Sequence, residues 1–161
     1  MSTPGTTTPG RSAEPDRRPE MIELAEHLGL REEAESLRGD LRTEQFLPRL
    51  QRALELAGLP ASTGPGNPGI VFTPVGDFGV GFPAGSVAVE WRVGSALEAL
   101  YDESETGDPA DRLVRTVTGG IDNALRQILR QCGLRILTDT QFTGVIVAGL
   151  AAVDGADTLG L

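Results

Sequence analysis

The sequence predicts an α+β fold: an antiparallel sheet of about five strands with helices packed on one face, preceded by an N-terminal helical segment. Three observations predict it. Between positions 87 and 94, Val87, Val89, Trp91 and Val93 alternate with Ala88, Glu90, Arg92 and Gly94, the period of two of a half-buried strand. From Pro109 to Cys132, apolar residues return at steps of three and four, from Leu113 through Ile121 and Leu125 to Leu129. That is the stripe of a helix about 35 Å long, wide enough to lie on a sheet. Finally, helical and strand patterns come in blocks rather than in strict alternation, which favours antiparallel pairing.

The elements follow in order. Residues 1–19 hold four prolines, four threonines and, after Met1, no large apolar side chain, so they are expected to form a disordered tail. Residues 20–59 form the helical segment. Met21, Ile22, Leu24, Ala25 and Leu28 mark a first helix closed by Gly29, and Leu30, Ala34 and Leu37 a second closed by Gly39. Phe46, Leu47, Leu50, Ala53 and Leu54 mark a third, capped by Gly58 and disturbed by Pro48. The Pro-, Gly- and Ser-rich residues 60–69 read as a linker loop.

The α+β core is expected over 70–153. Ile70-Val71-Phe72 and Phe78 to Phe82 flank a Gly76-Asp77 turn signal and predict a hairpin. After the alternating strand, Ser95 and Glu98 have the spacing of a capping box for a short helix ending near Tyr101. Asp108 as N-cap, Pro109 in the first turn and Gly133 past the end bound the long helix. Its Gly119-Gly120 pair costs helix propensity and calls for close backbone packing or a kink. Leu134–Thr140 and Phe142–Leu150 predict the last two strands, and residues 154–161 are expected to fray.

Composition narrows the function. A net charge of -9 and a pI near 4.6 argue against binding a phosphate backbone, which needs clustered cations. All 14 basic residues are arginine, so there is no lysine for a Schiff base or a P-loop. One cysteine excludes an internal disulfide, and one histidine excludes a histidine-based metal cluster. No apolar run reaches the length of a membrane span. The expectation is a cytoplasmic protein that binds neither nucleic acid nor membrane.

Candidate chemistry is sparse. Asp102, Ser104, Thr106 and Gly107 fit the first places of a calcium loop, but Leu113 stands where a bidentate glutamate is required. Gly76, Gly79 and Gly81 open no helix after a strand, so they do not form a phosphate cradle. His27 has no serine or cysteine nucleophile motif beside it, and Cys132 lies on the buried stripe. Glu90 with Arg92, and Asp139 with Gln141, share strand faces, where paired carboxylates have acid–base potential. Arg112, Arg115, Arg126 and Arg130 are expected to pair with internal acids. No catalytic residue, metal site or cofactor is assigned.

What remains is contact. The element order and acidity are similar to those of small acidic secretion-chaperone domains. The expected function is a non-catalytic protein-binding, adaptor or chaperone-like module that meets a protein partner or forms a homo-oligomer. Leu24, Leu28, Leu50 and Leu54 are the expected interaction residues, because short amphipathic helices gain most by packing on a partner. The alternatives are a structural subunit of a phage-like or other assembly, and a small enzyme using carboxylates such as Glu90 or Asp139.

Overall fold

Two helices, two strands, two helices and two strands succeed one another in the computed structural model, which describes residues 16–75, 81–103, 106–137 and 144–151. Helix α1 spans Arg18–His27 and α2 spans Arg31–Leu56; strands β1 (Gly69–Pro74) and β2 (Val87–Arg92) follow. Helices α3 (Ser95–Asp102) and α4 (Pro109–Gln131) lead to β3 (Leu134–Leu137) and β4 (Val145–Leu150). The strands form one antiparallel sheet in the order β1-β2-β4-β3.

The strand at 87 turns alternate residues to opposite faces, but it is not half-buried as expected: Val87, Ala88 and Val89 are buried on both. Val87, Val89 and Trp91 turn to one face, level with Phe72 and Ile70 of β1 and with Val145 and Val147 of β4. Phe46, Leu50, Ala53 and Leu54 of α2 and Leu125 and Leu129 of α4 close that face into the main core. On the other face, Ala88 and Ile146 meet Val75, Phe82 and Leu137. The central strand β4 is therefore buried on both sides, which its unbroken apolar run Val145–Ala148 permits.

Four strands are present among the described residues rather than five. Phe78–Val80 of the expected hairpin lie outside those residues, and Gly81 and Phe82 are not in a strand. The partner of β1 is β2 itself, in register from Gly69 opposite Arg92 to Pro74 opposite Val87. The expected tail 1–19 and frayed end 154–161 lie largely outside the described residues, although α1 already starts at Arg18.

Gly39 does not end a helix. Helix α2 runs through it and through Pro48 for 26 residues. Proline there removes one backbone bond, yet Phe46 and Leu50 on either side are fully buried, and that packing outweighs the loss. Gly39 is where the loop before β2 crosses the helix: a Cβ on it would stand 2.7 Å from the Gly85 nitrogen. Thr43 Oγ1 donates to the Gly85 carbonyl at 2.8 Å, and Arg42 Nη1 donates to that of Ala84 at 2.6 Å. Gly85 itself has φ +78°, and a side chain there would strike the Gly39 carbonyl.

Helix α4 keeps its expected ends. Asp108 accepts from the Ala110 N–H, and Gly133 follows with φ +73°. Its stripe is core only in the second half, however: Leu125 and Leu129 are fully buried while Leu113 is 51% exposed. A Cβ on Gly119 or Gly120 would meet nothing within 4 Å, so close packing is not what calls for glycine there. The capping box of α3 is not formed either; Gly94 is the N-cap and Ser95 the first helical residue.

Candidate functional site

Two surfaces stand out, and each follows from how an element meets its neighbours. The first belongs to α1. That helix presses Ile22 and Ala25 against Ala34, Leu37 and Leu41 of α2. Two contacts fix its orientation: Arg18 Nη2 donates to Glu44 Oε2 at 2.7 Å, and Arg38 pairs with Glu26. With its inner edge so committed, the adjacent edge faces solvent. Met21, Leu24 and Leu28 stand there at steps of three and four, 51%, 58% and 61% exposed.

The four leucines expected to act together are thus divided. Leu50 and Leu54 lie at the centre of the main core, against the sheet, whereas Leu24 and Leu28 remain at the surface. Of the exposed apolar residues on the α1–α2 unit, Met21, Leu30 and Leu56 lie outside the expected set; Met21 is on the same edge as Leu24 and Leu28 at helical spacing.

The second surface is a cleft of about 340 Å³ between the end of β2 and α4. Among the described residues β2 pairs with β4 over Val87–Val89, and Glu90, Trp91 and Arg92 continue the pairing with β1. Glu90 and Trp91 of β2, Tyr101 of α3, Val114, Thr118 and Asp122 at four-residue steps along α4, and Gly144 line it. Burial holds the Glu90 carboxyl above its ordinary range, and the charge of Asp122 adds to this while Arg92 opposes it. Burial likewise raises Asp122, against the pull of Arg126 and of the Gly144 N–H. Arg126 is occupied in turn, with Nη2 donating to the Gly144 carbonyl at 2.9 Å.

The carboxylate that shares the cleft with Glu90 among the described residues is Asp122; Asp139 and Gln141 lie outside them. Asp122 carries no sequence signal beyond its place off the apolar stripe, since its proximity to Glu90 depends on how α4 crosses the sheet. No protein-family model, no curated protein and no solved structure matches this chain. Function must therefore be read from these two surfaces.

Two further chemically able side chains, Asp111 and Cys132, are taken up by the structure. Asp111 takes the Gly107 N–H at 3.0 Å and Arg115 Nε at 2.7 Å, which together hold its carboxyl below the usual range. Cys132 is buried in the main core. Among the described residues no group of three or more His, Cys, Asp or Glu side chains is placed to hold a metal ion. No helix among them is long and apolar enough to cross a membrane.

Proposed function

We propose that the protein acts by protein–protein contact through the exposed edge of α1, and that the partner it fits first is a second copy of the chain. The observation that carries this is the row Met21, Leu24 and Leu28, held outward by a helix whose other edge is anchored to α2. Charge favours a second copy. Over positions 17–31, Arg17, Arg18 and Arg31 balance Glu20, Glu23 and Glu26, so this segment is neutral in a chain of net charge -9. Two copies repel least there, and a two-fold axis would set the same three side chains against one another.

The test is solution mass by light scattering for the wild type and for Leu24→Ser with Leu28→Ser, beside far-UV circular dichroism. The expected result is a dimer that becomes a monomer with its spectrum unchanged. A wild type that stays monomeric at every concentration overturns the second-copy reading.

A second reading, a small carboxylate-dependent enzyme, is favoured by one observation. Two half-buried acids with raised proton affinity share a cleft with an indole and a phenol, the kind of setting in which one carboxyl keeps a proton for transfer.

A further inference from the structure

The main body holds α3 and the first half of α4 lightly. No residue of α3 is buried. Among the α4 residues before Gly119, Asp111 alone is buried, and its bonds go to Gly107 and Arg115 of the same segment. After Gly120 the character changes, and Leu125, Leu129 and Cys132 belong to the main core. The junction is Gly119-Gly120, exposed and with room for a side chain at both positions. Glycine is the weakest helix former short of proline, so nothing in the packing accounts for two in succession.

Just before them, Thr118 Oγ1 donates back to the Val114 carbonyl at 2.8 Å, and Thr116 Oγ1 to that of Arg112 at 2.7 Å. Such back-bonds bend helices, and a glycine pair is where helices kink. A separate observation would give flexing at this point a purpose. The cleft straddles this junction: Tyr101, Val114 and Thr118 come from the segment before the glycines, while Glu90, Trp91, Asp122 and Gly144 belong to the body.

We propose that α3 and the first half of α4, tethered at the start of α3 by the Ser95 N–H bond to the Gly66 carbonyl, form an arm that flexes at Gly119-Gly120 and opens and closes the cleft over Glu90 and Asp122. The inference is independent of the α1 contact. The pivot swings a helical arm and does not unfold it, which is the usual form of a hinged lid.

The chain carries its own reporter, since Trp91 is the single tryptophan and lines the cleft. The experiment compares acrylamide quenching of Trp91 in the full-length wild type and in Gly119→Ala with Gly120→Ala, with hydrogen exchange of residues 109–118 in the wild type measured alongside. Alanines fit both sites and stiffen the helix in the covered arrangement, so the quenching constant should fall in the variant. The wild-type amides of 109–118 should at the same time exchange more slowly than in a free peptide. Equal quenching in the two proteins overturns the pivot. So does a wild-type arm whose amides exchange as freely as the isolated peptide, because that arm would be unfolding rather than swinging.

Discussion

Glycines in helices carry opposite meanings in this chain, and the difference lies in what surrounds each. Gly39 lets a loop backbone come against α2, so Gly39→Ala forces the loop or the helix to shift and should cost about 1–3 kcal/mol. Gly119 faces open space, so Gly119→Ala should raise stability by up to about 1 kcal/mol. Urea melts of the two variants check both signs, and a loss at Gly119 would mean the helix there depends on something other than propensity. The cleft acids give a second residue-scale prediction. Glu90 and Asp122 have folded proton affinities raised above ordinary values of 4.5 and 3.8, so what they contribute is present in acid and lost as pH rises through the raised values. Asp111 is lowered, so its contribution is present above its ordinary value of 3.8 and lost as pH falls. Glu90→Gln should therefore stabilise the protein at pH 7 and leave it unchanged or weaker near pH 4, read from denaturant midpoints at the two values. A gain of equal size at both would show that titration is not the cause.

Elements differ in how much of their stripe the core uses. Both α2 and α4 look amphipathic over their whole length, but the sheet covers only part of each. Leu50→Ala, in the part of α2 that meets Val89 and Val147, should cost about 2–5 kcal/mol. Leu113→Ala, in the uncovered half of α4, should cost less than about 1 kcal/mol. Ile121 and Ile128 are half-buried at the rim of the core, so their truncation should fall between these limits. Thermal melts of the three classes give the order directly, and equal losses at Leu50 and Leu113 would place the arm in the core after all. The same unevenness explains α1. Its stripe is wider than the strip of α2 it meets, which leaves Met21, Leu24 and Leu28 uncovered.

For the whole molecule, net charge and the neutral α1 segment together make a prediction about assembly. Copies carrying -9 each repel at long range, whereas the apolar edge itself is indifferent to salt. Raising ionic strength should therefore increase the dimer fraction, measured by sedimentation at fixed protein concentration; a dimer that salt dissolves would be held by ion pairs instead. The sequence by itself determined what is set locally: helix or strand, the ends of α4 from Asp108 to Gly133, and the alternation of β2 between two faces. These follow from periodicity and capping, which act over a few residues. The tertiary structure alone decided which faces meet. It made β2 a partner of β1, and put Gly39 inside α2 where a loop crosses the helix. It sent Leu50 and Leu54 inward while Leu24 and Leu28 stayed out, and it brought Asp122 to Glu90. Each of these depends on surfaces far apart in sequence competing for the same area, and a stripe records that a face is apolar without recording what will cover it.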